Sequence, residues 1–276
     1  MSITSAEDEL FRLDSDARFG PCERSSDAET QTAFEQRGAP ETVNLNSSAR
    51  IVIRDVHKTF TLHTQGGTKL AVLANAALCV DAGECVALTG PSGTGKSTLL
   101  RCLYGNYLPT QGSIYVRHEN QWIDLTTADP TQIVQLRKST IGWVSQFLRV
   151  IPRIETLDIV AEPLTQQGVA KADARDRAAT ILTRLNVPEK LWSLAPATFS
   201  GGEQQRVNVA RGLVGDHVIL LIDEPTASLD PANCEVVVSL LCEARDKGTA
   251  LVGIFHDPAV RDAVATRVLD ITQLTP

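Results

Sequence analysis

The chain has 276 residues, 43% of them hydrophobic, and a formal net charge of -7, enough apolar material for one large packed domain or two small ones. This balance excludes a strongly basic nucleic-acid surface, and no apolar run approaches the ~20 residues that a spanning helix needs. The start, "MSITSAEDEL", has neither the basic nor the apolar segment of a leader, so a cytoplasmic protein is expected.

The charge is uneven: residues 1–50 carry ten acidic and five basic side chains, net -5, leaving -2 for the rest. Residues 1–48 are rich in Ser, Glu, Asp, Ala and Thr with few apolar positions, which predicts a disordered acidic tail. The alternative is a segment around Glu9–Leu13 that folds on contact with a partner. The six cysteines, at 22, 79, 85, 102, 234 and 242, show no metal-ligand spacing; several fall in apolar runs and are expected to be reduced structural thiols.

Residues 49–276 read as one α/β domain. "IVIRDVHKTFTL" and "TKLAVLANAALCV", separated by the turn signal Gln65–Gly67, predict an antiparallel layer. "ECVALTG" reads as a strand, followed by a helix from Lys96, strands "GSIYVR" and "WIDLTT", and a helix opened by Asp129 and Pro130. "TIGWVSQ" predicts a buried strand ending at Gln146. From about residue 147 to 200 the apolar spacing turns to three and four, as a helical subdomain requires. "HVILLID" and "GTALVGIFHD", each followed by a helix, restore the rhythm of a parallel sheet with crossover helices.

"GPSGTGKST" lies between the strand "ECVALTG" and a helix, where the pattern G-x-x-x-x-G-K-[ST] has mechanical meaning. The loop Gly90, Pro91, Ser92, Gly93, Thr94 and Gly95 would wrap a phosphate chain. Its successive backbone N–H groups, which Pro91 alone lacks, would converge on phosphate oxygens, helped by the positive end of the helix. Lys96 would reach the β- and γ-phosphates, Ser97 would ligate Mg²⁺, and Thr98 would add a phosphate contact. "VILLIDEP" ends an apolar strand in two carboxylates: Asp223 to hold the metal and Glu224 to polarise the attacking water. Gln146 would contact Mg²⁺ and water, and His256 would donate to the γ-phosphate.

A second glycine pair, Gly201 and Gly202, follows Ser200 in "FSGGEQQRVNVARG". Ser200 as cap and two glycine amides make another anion-binding helix start. One chain binding one nucleotide does not need both, so the second site is expected to serve the nucleotide of a partner domain in a head-to-tail pair.

In this order Gly90–Ser97, Gln146, Ser200–Glu203, Asp223 with Glu224, Ser228–Asp230 and His256 resemble the phosphate loop, Q-loop, signature, Walker B, D-loop and switch histidine of ABC-type ATPases. The resemblance covers residues 50–275. It implies a RecA-like parallel-sheet core, an antiparallel β layer, a helical subdomain, ATP and Mg²⁺ as ligands, Asp230 near the nucleotide of the pair, and ATP-driven closure of two domains. The signature reads "FSGGE" where "LSGGQ" is commonest, so Glu203 puts a negative charge near a phosphate site. Phe60 resembles the aromatic that stacks on adenine, with a plain core role as the other reading.

Free-standing chains of this kind commonly power a membrane permease. The runs from Arg149, "RVIPRIETLDIVAEPL", and from Leu185, "LNVPEKLWSLAPATFSGGEQQRVNVARG", are more similar to the L-component family of the bacterial carbon-phosphorus lyase system. That narrower resemblance implies a sister ATPase component K, lyase core subunits as partners, and ATP coupled to a methylphosphonate-type substrate to give a ribose 1-phosphonate triphosphate. A third expectation, a non-hydrolysing ATP-gated subunit, sits poorly with Glu224 and His256.

Overall fold

The computed structural model describes residues 48–62, 66–148 and 152–274. The acidic segment 1–47, with its expected disorder, and Cys22 lie outside the described residues.

Four strands form an antiparallel sheet in the order β2-β1-β4-β5: β1 (Ala49–Leu62), β2 (Thr68–Asp81), β4 (Gln111–His118) and β5 (Gln121–Asp124). The β1–β2 register pairs Ile53 with Leu78 and Phe60 with Leu70. It shifts near Asp55, whose φ is 46°, and there Gly112 of β4 packs against the chain so closely that a Cβ would lie 2.3 Å from the Asp55 carbonyl oxygen. A second sheet is parallel throughout, in the order β6-β7-β8-β3-β9, from β3 (Cys85–Thr89), β6 (Ile141–Val144), β7 (Ile219–Asp223), β8 (Ala250–Ile254) and β9 (Arg267–Asp270). Strand β9 carries no apolar run and is mostly exposed, which is why the sequence pattern did not disclose it.

β7 and β8 are buried along their whole length, so they read as continuous apolar runs rather than alternating ones. Period two still sorts the side chains. Ile219 and Leu221 join the core shared with the antiparallel sheet and with helix α1 (Lys96–Leu103), whereas Leu220 and Ile222 face the opposite core. That second core contains Val160 and Leu164 of α3 (Thr156–Gln166), Ala178 and Leu182 of α4 (Lys171–Arg184), and Val207 and Ala210 of α5 (Gly201–Leu213). The helical segment therefore shares its apolar interior with α5 and one face of the parallel sheet. Cys85 and Cys102 are buried thiols pushed up to about 12 by desolvation, while Cys79 is exposed.

Three helices begin with Asp followed by Pro: α2 (Pro130–Ser139), α6 (Pro231–Asp246) and α7 (Pro258–Val264), capped by Asp129, Asp230 and Asp257. Helix α5 is placed by contact at its far end. A Cβ on Gly212 would sit 2.4 Å from Val144 Cγ2 and 3.1 Å from the Trp143 carbonyl oxygen, so α5 presses directly on β6. Gly212→Ala is expected to lower stability by about 1–3 kcal/mol through overpacking against this fully buried, branched neighbour, read as a fall in the thermal unfolding midpoint.

Candidate active site

Because the strands run parallel, the segments leaving β6, β7, β8 and β3 emerge on one edge in that spatial order. They carry Gln146, then Asp223 with Glu224, then His256, then the loop from Gly90. Gln146 and His256 each lie two residues beyond their strands, which are shorter than the sequence pattern suggested. Residues 78 and 32 positions away from Glu224 thereby reach it.

The phosphate-loop fold follows from its glycines. Gly90, Gly93 and Gly95 have φ of 136°, 83° and 90°, and a Cβ on Gly95 would meet Val72 Cγ1 at 2.9 Å, beneath β2. Pro91, Ser92 and Gly93 form the exposed crest of the loop, with Ser92 and Gly93 in a turn. Ser92 thus stands on the loop where the sequence pattern expects a nucleotide-binding residue, its side chain on the solvent side rather than packed in the core. Space around Gly93 is open, and Thr94 Oγ1 donates to the Pro91 carbonyl at 2.9 Å. Lys96 folds back over the loop, its ammonium donating to the carbonyls of Gly90 at 2.7 Å and Pro91 at 2.8 Å. It is thus held at the loop as a point charge that can exchange these bonds for anionic oxygens. Ser97 and Thr98 lie in the first turn of α1.

At the carboxylate end, Asp223 is 5% exposed and closes β7. Glu224 follows with φ of 54°, a left-handed backbone at a non-glycine residue, tied by its N–H to the Ile254 carbonyl at 3.0 Å. One carboxylate oxygen is 2.6 Å from His256 Nε2, and the other accepts from Gln146 Nε2 at 3.3 Å. His256 is itself 71% exposed, so the edge of the site is open to an incoming ligand. Ser97, Asp223 and Gln146 offer a hydroxyl, a carboxylate and an amide, a hard-oxygen set suited to Mg²⁺ completed by phosphate oxygens and water. The loop and this donor set fit the chemistry of a Mg²⁺–nucleotide, whose metal Ser97, Asp223 and Gln146 would face.

The second glycine pair caps α5. Ser200 Oγ accepts from the Glu203 N–H at 3.3 Å and donates to Glu203 Oε2 at 2.8 Å, while the Ser200 N–H donates to the same oxygen at 2.9 Å. Glu203 therefore completes a capping box, and its carboxyl is held below its usual range chiefly by the hydrogen bonds from Ser200. Either Glu or Gln can complete the box at this position, so what the departure from the commonest signature adds is the charge. Gly202 has a second reason to be glycine: a Cβ there would lie 2.9 Å from the Ser228 carbonyl oxygen, so the signature and the 228–230 turn pack against each other.

Asp230 acts as the N-cap of α6, with both carboxylate oxygens accepting from Asn233. Phe60 stands edge-on to Tyr107 at 5.3 Å, and the Lys58 ammonium lies 4.6 Å from its ring centroid. The ring thus packs against both neighbours.

Two residues of α5 reach this site without having been anticipated from sequence. Gln205, 5% exposed, donates from Nε2 to the Glu224 and Pro225 carbonyls at 3.1 Å each. Asn208, 3% exposed, donates from Nδ2 to the Ser145 carbonyl. Their only signal in the sequence is that two amides occupy positions on a helix whose other inward residues are apolar.

The Glu203 carboxyl has a defined sign in pH. Its folded value is depressed, so its contribution is present above the unfolded value of 4.5 and is lost as pH falls through the folded value. Calorimetry is expected to show the unfolding midpoint falling less steeply below pH 4.5 in Glu203→Gln, which keeps the capping box without the charge, than in the parent. Ser200→Ala, which removes the cap, is expected to cost about 1 kcal/mol at pH 7.

The comparisons with known proteins agree with this geometry. The family model described as ABC transporter matches residues 73–227. The lipoprotein-releasing system ATP-binding protein LolD of Legionella pneumophila is 36% identical over 212 residues, 76% of this chain and 91% of that protein. The macrolide export ATP-binding/permease protein MacB of Salmonella choleraesuis is 34% identical over 209 residues, 76% of this chain but 31% of that protein, so the chain spans about a third of such relatives. The dimeric post-hydrolysis structure of the ATP-binding cassette MJ0796 bound to ADP and Pi superposes with a TM-score of 0.73 at 30% identity, over 82% of this chain and 94% of that one. These relatives are transporter ATP-binding proteins rather than phosphonate lyase components, so they support the family and not the narrower resemblance. The chain belongs to the ABC transporter family of ATP-binding cassettes and has the ABC ATPase fold.

Proposed function

We propose that this chain hydrolyses ATP to ADP and phosphate as the motor subunit of an ABC transporter, on the cytoplasmic side, in a head-to-tail pair of ABC domains. The observation that carries hydrolysis, as opposed to nucleotide-gated assembly, is the Glu224 carboxylate held between His256 and Gln146 on the same sheet edge as the phosphate loop. In this reading Glu224 accepts the proton of the attacking water as its oxygen bonds to the γ-phosphorus and the bond to ADP breaks. The backbone of the loop from Gly90 through Ser92 to Gly95 cradles the phosphates, and Lys96 and His256 turn from their protein partners to the phosphate oxygens. Bound Mg²⁺ would neutralise phosphate charge, faced by Ser97, Asp223 and Gln146.

Pairing is supported by the capped start of α5, a second anion site remote in sequence from the phosphate loop, and by the dimeric state of the MJ0796 cassette. The partner domain is a second copy or a related ABC subunit. Relatives named as export and lipoprotein-release components favour a membrane permease as the driven partner. Among the described residues no helix is long and apolar enough to cross a membrane, so the permease would be a separate segment or chain.

A second reading, membership of the phosphonate lyase assembly with its K component and core subunits, rests on the Trp192–Gly212 run. This run has a definite place in the fold. The Leu194 carbonyl accepts from the Thr156 N–H and hydroxyl at the start of α3, and the Leu157 N–H donates to the Trp192 carbonyl. Leu194, Ile154 and, one residue after Gln146, Phe147 are exposed apolar side chains of the kind a partner would cover. The part of the sequence that carries the narrower resemblance therefore lies beside a candidate partner surface.

Glu224→Gln is expected to lower the rate of phosphate release by about 10²–10⁴-fold while retaining nucleotide, and Lys96→Ala is expected to abolish nucleotide binding by calorimetric titration. Unchanged turnover in the first variant would remove Glu224 as the base. Affinity capture of tagged Glu224→Gln protein with ATP and Mg²⁺ from detergent-treated cells grown on a phosphonate decides the partner: a polytopic permease supports the motor, whereas soluble lyase subunits with a second ATPase select the lyase reading.

A further inference from the structure

Helix α5 has Ser200 at its start and two buried amides on one inward face a single turn apart, Gln205 and Asn208. Gln205 holds the backbone of the Walker B turn through the Glu224 and Pro225 carbonyls. Asn208 holds the Ser145 carbonyl, and Ser145 Oγ in turn lies 3.4 Å from Asn208 Oδ1 and donates to the Phe147 carbonyl at 2.7 Å, so the turn carrying Gln146 is fixed from the same helix. Gln146 and Glu224 meet each other at 3.3 Å. The buried face of α5 thus grips both arms that converge on the carboxylate, while its exposed start offers the second anion site.

Resting on the head-to-tail pairing proposed above, we propose that Gln205 and Asn208 are positioning residues that couple the two ends of α5. Seating of the partner's nucleotide at Ser200 moves the helix, and the helix sets Glu224 and Gln146 over this chain's own nucleotide. Three features make the connection stiff. Glu224 has a left-handed φ that its surroundings must maintain, Gln205 supplies two of the hydrogen bonds at that turn, and Gly212 presses the far end of α5 on β6, leaving little room for the helix to slide without carrying the turns with it. Both amides are bonded to backbone carbonyls of the turns that carry Glu224 and Gln146, so both act through those residues.

The test separates chemistry from binding and pairing. Gln205→Met keeps side-chain length and burial but removes both donated bonds. It is expected to lower kcat at least tenfold with KM within twofold, while Glu224→Gln/Gln205→Met still pairs on addition of ATP and Mg²⁺, with itself or its co-purified ABC partner, as read by light scattering. Asn208→Leu is expected to show the same split. Should Gln205→Met not fold, Gln205→Glu, which keeps one donor when its buried carboxyl is protonated, is expected to show a smaller loss of kcat with pairing intact. Unchanged kcat, or loss of kcat, KM and pairing together in a folded variant, would overturn the coupling role and leave these amides as helix packing. Failure of Glu224→Gln alone to pair would be seen in the parent, and would overturn the head-to-tail reading and this inference with it.

Discussion

The Glu224 carboxylate stands on a residue with φ of 54°, in a region where a non-glycine side chain persists only because its surroundings hold it. The holding groups come from across the molecule: the Ile254 carbonyl on β8, Gln205 on α5, and the side chains of His256 and Gln146. A parallel sheet makes this convergence natural, since all its strands deliver their following segments to one edge. Each of these residues depends on the sheet order β6-β7-β8-β3 that brings its strand beside the next. The antiparallel sheet contributes at one remove, by closing the core over α1 and by packing Val72 and Leu73 against Gly95 beneath the phosphate loop.

Helix α5 joins the second glycine pair to the turns of Glu224 and Gln146, which the sequence presents as separate. Its capping box orders the glycine pair, and the Ser200 hydroxyl, by donating to Glu203, is engaged within the chain. An anion approaching the helix start would have to compete with Glu203 for that hydroxyl. Lys96 and Glu224 show the same property, each satisfied by protein partners that a nucleotide would displace. The polar groups of the site are thus hydrogen-bonded within the chain, and a nucleotide would exchange those bonds for its own.

The family rests on a match over residues 73–227 and on relatives aligned over 76% of the chain, while any driven partner is a proposal. Transporter relatives and the Trp192–Gly212 run point to different partners. This division is expected physically. The phosphate-binding edge is constrained by one chemistry, whereas that chemistry places no demand on exposed apolar residues such as Phe147, Ile154 and Leu194.

The sequence by itself determined the local devices. The glycine spacing of residues 90–95 demands a loop with positive φ, Ser200 before the glycine pair marks a helix cap, and the apolar runs of β7 and β8 require burial on both faces. These are interactions between near neighbours or properties of one segment, so pattern alone reveals them. Only the tertiary structure decided that Gln205 and Asn208 reach the turns of Glu224 and Gln146, that Gly202 is pressed by Ser228, and that Phe60 meets Tyr107. Each depends on which distant segment lies alongside, most often on the strand order of the parallel sheet or the seating of α5 against β6. A residue's type and its spacing from its neighbours carry no record of either.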